Sequence, residues 1–212
     1  MSNLPPILYS FRRCPYAMRA RLGVLSAGLT VELREVVLRD KPQAFLATSP
    51  TGTVPTMKAG DVIIDESLDI MVWALRHNDP ENLLKMSQAG WDLITANDGP
   101  FKTALDRTKY VTRYPDSDPE AQRATASSYL RDLDQRLNGQ DWLMGDRETL
   151  ADLAIAPFVR QFAHIDRAWF DAQPWPDLIA WLNRFLESPR FARAMPKFAQ
   201  WHEGDAPVYF GA

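Results

Sequence analysis

The sequence predicts an α/β domain followed by an all-helical one, and two observations carry that prediction. In the first part of the chain, short apolar runs alternate with an amphipathic segment in the order strand, helix, strand. That order fits a right-handed crossover between two parallel strands. Beyond the polar stretch Asn78-Asp79-Pro80-Glu81-Asn82, every long segment has a helical period and no convincing strand follows. The predicted boundaries are residues 1–78 for the first domain, 79–83 for a linker and 84–212 for the helical domain.

Each element has its own signal. Ile7-Leu8-Tyr9-Ser10 reads as a buried strand. Residues 15–27 read as a helix, with Met18, Leu22 and Leu25 at helical spacing and Gly28 as the stop. Residues 31–37 alternate at first and read as a second strand. A short helix over 41–46 is opened by Pro42, and Ser49-Pro50-Thr51-Gly52-Thr53 has loop chemistry. Residues 54–58 and 62–64 read as two short strands joined by the hairpin turn Ala59-Gly60-Asp61. Residues 66–77 form a helix with Leu68, Met71, Val72 and Leu75 on one face. In the second domain the helical segments are 84–114, broken near Asn97-Asp98-Gly99-Pro100, then 119–137, 150–167, 175–186 and 189–198. Pro157 predicts a kink or a loosened turn in the third of them. Thr149-Leu150-Ala151-Asp152 reads as a capping box with Asp in place of the usual Glu or Gln, and its role is assigned to folding.

The chemistry concentrates on Ser10-Phe11-Arg12-Arg13-Cys14-Pro15-Tyr16, which holds the only cysteine. Proline is favoured at the first position of a helix, so Pro15 places Cys14 at the N-cap. There its sulfur faces unpaired backbone N–H groups and the positive end of the helix dipole. Arg12, Arg13, Arg19 and Arg21 are expected to add positive charge nearby, and all of this favours the nucleophilic thiolate. A buried apolar cysteine is the competing reading, but an N-cap is a poor place for a packing residue.

Composition narrows the alternatives. The chain has 212 residues, a net charge of −3 and no basic stripe, so neither nucleic acid nor an anionic membrane is an expected partner. A single cysteine excludes an internal disulfide framework and suits a reducing cytoplasm. No signal peptide and no apolar run of transmembrane length is visible. His77, His164 and His202 are scattered without metal-ligand spacing, so no metal is expected.

Five pieces together resemble the cytosolic glutathione transferase superfamily, and within it the cysteine-type members: omega-like transferases and two-domain glutaredoxin-2-like proteins. They are Cys14-Pro15-Tyr16-Ala17 after the first strand, Lys41-Pro42, Val54-Pro55, Glu66-Ser67 and Thr149-Leu150-Ala151-Asp152. The resemblance implies a thioredoxin-like α/β N-terminal domain, an all-α helical C-terminal domain, glutathione as co-substrate and a homodimer. It implies that Ser67 takes the γ-glutamyl carboxylate of glutathione and Glu66 its ammonium. This suits a helix N-terminus, where N–H groups and the dipole hold carboxylates. It also implies a cis Val54–Pro55 bond that turns the Val54 backbone toward the ligand's cysteinyl group, and a Lys41 that reaches the glycyl carboxylate.

Ala17 stands where a dithiol enzyme carries its second cysteine, so only a monothiol cycle is open to Cys14. The leading expectation is a glutathione-dependent thiol transferase. The alternative is a conjugating transferase that uses a Tyr9 or Ser10 hydroxyl, and a further one is a non-catalytic binding protein of the same fold.

Overall fold

The computed structural model describes residues 4–211. The chain divides into two compact units, Met1–Leu84 together with Ser188–Ala212, and Lys85–Glu187. The first unit opens with β1 (Ile7–Ser10), α1 (Pro15–Ser26) and β2 (Thr30–Glu35), and β1 and β2 pair in parallel as the crossover order predicts. Helix α2 (Gln43–Thr48) then leads to β3 (Thr56–Ala59), β4 (Val62–Ile64) and α3 (Ser67–His77). Strand β3 runs antiparallel to β1, and β4 antiparallel to β3.

Side chains on a strand alternate between faces, and β1 shows the consequence. Tyr9 faces a cluster with Phe45 of α2, Val36 and Val54. Ser10, one residue on, meets α1 through Arg21. Helix α1 is buried along almost its whole length and packs closely against α3. A Cβ on Gly23 would come within 2.8 Å of the Met71 Cα, so only glycine allows this approach.

The second unit is helical: α4 (Gln88–Ala96), α5 (Lys102–Lys109), α6 (Pro119–Leu137), α7 (Leu150–Ala163), α8 (Arg167–Asp171) and α9 (Pro176–Glu187). The predicted break is a five-residue π-helical stretch, Asn97–Phe101, with Pro100 inside it. Such stretches absorb a residue that cannot donate to the ladder. Helix α7 stays α-helical through Pro157, with every residue from 150 to 159 buried. Dense packing on all sides holds that turn despite the missing N–H.

Asp152 fastens the start of α7. Its carboxylate accepts from the Thr149 N–H at 2.9 Å and from the Thr149 hydroxyl at 3.0 Å. It also accepts from the Leu143 N–H at 2.8 Å and from the Trp181 indole at 3.0 Å. The capping box thus ties three parts of the unit together, and sequence spacing showed only the local one.

The end of the chain requires a correction. The sequence reading drew the helical domain through residue 212, yet α10 (Pro189–Ala194) and all that follows belong to the first unit. Strand β5 (Tyr209–Gly211) pairs antiparallel with β2 and completes a sheet of order β4-β3-β1-β2-β5. Three residues are too few to show a strand period, which is why the sequence hid it. The closeness of this edge shows at Gly211, where a Cβ would fall 1.8 Å from the Leu29 carbonyl oxygen.

Candidate active site

Strand polarity collects the expected site residues. Strands β1 and β2 are parallel, β3 is antiparallel to them and β4 antiparallel to β3. The C-terminal ends of β1, β2 and β4 and the N-terminal end of β3 therefore share one edge of the sheet. Cys14 follows β1, Lys41 follows β2, Val54 and Pro55 precede β3, and Glu66 and Ser67 follow β4. All six residues lie along that edge.

Cys14 is the N-cap of α1, with Pro15 at the first helical position and no side-chain capping bond. It is partly exposed, and its thiol lies 3.8 Å from the Val54 carbonyl oxygen. The Val54–Pro55 bond is cis, as expected. Lys41 is exposed and donates to the Gly52 carbonyl at 2.9 Å, just ahead of Val54. That bond uses one of the three ammonium donors. Glu66 is the exposed N-cap of α3, and Ser67 is its buried first residue.

Two readings of this region need correction. The hydroxyls of the conjugating alternative are both engaged and inaccessible. Tyr9 is 1% exposed and accepts from Arg34 at 2.9 Å, and Ser10 is 0% exposed and accepts from the Arg21 Nε at 2.8 Å. The physical cause is that Tyr9 and Ser10 lie inside β1, where alternate side chains enter the two cores.

The four arginines also differ in role. Arg21 is buried in an ion pair with Glu35 and donates to the Ala194 carbonyl, with the Phe198 and Phe210 rings beside it. Burial lowers its pKa from the usual guanidinium range, the Glu35 charge opposes that, and the Arg12 charge lowers it further. Its charge is spent on Glu35. Arg19 is buried as well, so Arg12 and Arg13 are left as the cations on the cysteine's own loop.

Glu35 itself was missed. One carboxylate oxygen accepts the Arg12 backbone N–H at 2.7 Å, and the other pairs with Arg21. The same residue's carbonyl accepts from the Trp201 N–H at 2.9 Å. Glu35 thereby holds the loop before Cys14 against α1 with its carboxylate and the C-terminal segment with its carbonyl. The signal was present: Glu35 follows Val31 and Leu33 on the inward phase of β2, where a charge calls for a partner.

Comparison with known proteins decides the family. Residues 8–82 match the glutathione S-transferase N-terminal domain, and residues 87–189 match the glutathione S-transferase C-terminal domain. The chain belongs to the glutathione S-transferase superfamily. Among its relatives, a glutathione S-transferase of Triticum aestivum is 25% identical, with 98% of this chain and 99% of the relative covered. A maleylacetoacetate isomerase of Rattus norvegicus is 27% identical, over 85% of this chain and 87% of that one. A crystal structure of a glutathione transferase family member from Pseudomonas fluorescens, with two glutathione bound, shares the fold with a TM-score of 0.78. It is 20% identical and covers 90% of this chain and 92% of its own. Among the described residues no helix is long and apolar enough to cross a membrane.

Proposed function

We propose that this glutathione S-transferase is a cysteine-type, monothiol enzyme that transfers glutathione through Cys14. The observation that carries the reading is the contrast at the end of β1. The Cys14 thiol is partly exposed at a helix N-cap, beside the Val54 carbonyl, while the Tyr9 and Ser10 hydroxyls are buried and engaged.

The residues along the sheet edge would bind glutathione in one direction. Glu66 and Ser67 hold its γ-glutamyl end, the Val54 backbone ahead of Pro55 pairs with its cysteinyl group, and Lys41 meets its glycyl carboxylate. That places the ligand's sulfur toward Cys14. The Cys14 thiolate attacks the glutathione sulfur of a mixed disulfide, the old S–S bond breaks and the acceptor leaves as a thiolate. A second glutathione then attacks the enzyme-bound disulfide, frees Cys14 and departs as glutathione disulfide. No second protein thiol is needed, in keeping with the single cysteine.

Two further parts of the reading concern setting. A lone reactive thiol works best in a reducing compartment such as the cytoplasm. We also propose a homodimer, supported by an apolar groove on the first unit, where Val62 and Ile64 of β4 meet Val72 and Trp73 of α3. Val62 is 55% exposed there.

The test is a paired assay of wild type and Cys14→Ser with hydroxyethyl disulfide plus glutathione. Serine is a favoured N-cap residue of nearly the same size, so the variant is expected to fold. Disulfide exchange is expected to vanish with the only atom able to form a mixed disulfide. Full activity in Cys14→Ser would refute the assignment.

A further inference from the structure

Beside the cysteine's loop, the first unit carries a cleft of about 390 Å³, lined by Phe11, Arg12, Arg13, Glu35, Val37 and residues 197–200. It shares no residue with the proposed glutathione set of Lys41, Val54, Pro55, Glu66 and Ser67. Its volume is that of a small-molecule site.

The charges of this cleft do not balance. Arg12, Arg13 and Lys197 all line it, and none of the three forms an ion pair among the described residues. Arg13 lies over the Phe11 ring at 5.3 Å, which positions its guanidinium without neutralising it. Of the nearby carboxylates, Glu35 is committed to the Arg12 N–H and to Arg21, while Asp40 lies outside the lining, accepts from the Gln200 amide at 2.8 Å and offsets only one of the three positive charges. A concave surface with uncompensated charge of one sign concentrates ligands of the other. The guanidinium of arginine also matches a carboxylate in shape.

We infer that this cleft binds a carboxylate of the acceptor, so that the preferred partner of glutathione in the mixed disulfide is a small thiol bearing carboxylates. The inference rests on the Cys14 reading and adds the substrate class to it. In the balanced step, the Cys14 thiolate takes the glutathionyl group, the acceptor–glutathione S–S bond breaks, and the acid-bearing thiolate leaves past the arginines. Glutathione is the reductant that restores Cys14.

Two mixed disulfides of glutathione test it, one with mercaptosuccinate and one with 2-mercaptoethanol. Wild type is expected to favour the anionic substrate in kcat/KM by about tenfold or more, the effect of a one-charge contact at a partly screened surface. Lys197→Glu is expected to remove that ratio and Lys197→Arg to restore it. A ratio near one in wild type, or one untouched by Lys197→Glu, overturns the inference. So does a raised glutathione KM in Lys197→Glu, because the cleft would then hold glutathione itself.

Calorimetric titration of succinate into wild type and Lys197→Glu separates the two layers. If neither disulfide turns over, the Cys14 reading fails. The anion cleft still stands if succinate binds wild type and not the variant, and falls if succinate binds neither or both alike.

Discussion

Asp152→Asn tests the fastening of the helical unit. The two carboxylate oxygens accept four hydrogen bonds, Oδ1 from Leu143 N–H and the Trp181 indole, Oδ2 from the Thr149 N–H and hydroxyl. Asparagine keeps one acceptor oxygen. With that oxygen at the Oδ1 position, the Leu143 and Trp181 bonds survive, and the Thr149 hydroxyl can turn to accept from the new amide. The Thr149 N–H then faces a donor and is left unsatisfied, at a cost of about 1–3 kcal/mol. Asp152→Ala loses all four acceptor contacts and leaves a void, so about 4 kcal/mol or more is expected. The pH dependence has a definite sign. Burial raises the Asp152 pKa above its ordinary value, with the hydrogen bonds from Leu143, Thr149 and Trp181 pulling the other way. A raised carboxyl pKa means that the folded state holds the proton longer than the unfolded one. Stability from this group is therefore greatest below the ordinary Asp range and declines as pH rises from there toward the folded pKa. Asparagine does not titrate, so the deficit of Asp152→Asn should narrow as pH rises from the ordinary Asp range toward neutrality. Urea melts of both proteins followed by circular dichroism measure this directly. A variant within about 0.5 kcal/mol of wild type at neutral pH would refute the role given to these bonds. A deficit that grows with pH would refute the sign.

Three other changes follow from the same geometry. Glu66→Ala should raise the glutathione KM several-fold with kcat nearly unchanged, because Glu66 is assigned to the non-reacting end of the ligand; a fall in kcat at constant KM contradicts that. Gly23→Ala should destabilise by about 1–3 kcal/mol despite better helix propensity, since the new Cβ lands 2.8 Å from the Met71 backbone; thermal melts decide it. Val62→Glu puts a charge into the apolar groove of β4 and α3 and should yield monomers in light scattering, whereas an unchanged mass on both sides rejects that dimer surface.

Local patterns reached far into this fold. Pro119 and Asn138-Gly139 mark the two ends of α6, where Asp118 accepts from the Glu120 N–H and Gly139 takes a φ of +74°. Cys14-Pro15 and Glu66-Ser67 marked two helix starts, and in both the first of the pair is the N-cap. Such features are legible because a cap or stop involves only neighbours in sequence. What escaped were contacts over long separations. The Trp181 indole reaches Asp152 across 29 residues, and the Arg21 guanidinium reaches the Ala194 carbonyl across 173. Trp201 comes from the far end of the chain to pack with Tyr9, Phe45 and Val54, and Cys14 lies against the same cluster. Neither propensity nor spacing encodes which distant segment covers a given face.

The buried Arg21–Glu35 pair gives that last point a physical form. A buried ion pair adds little net stability over apolar residues, but breaking one partner is costly because the other is left charged and unpaired. Its value here lies in what it fixes. Glu35 holds the Arg12 N–H, Arg21 holds Ser10 and the Ala194 carbonyl, and the Trp201 N–H bonds to the Glu35 carbonyl. The segment that closes the chain is thereby bonded to the strand that ends at the cysteine's loop. The loop of Cys14 is therefore set by residues from both ends of the chain. Its geometry depends on the C-terminal segment folding back onto the first unit.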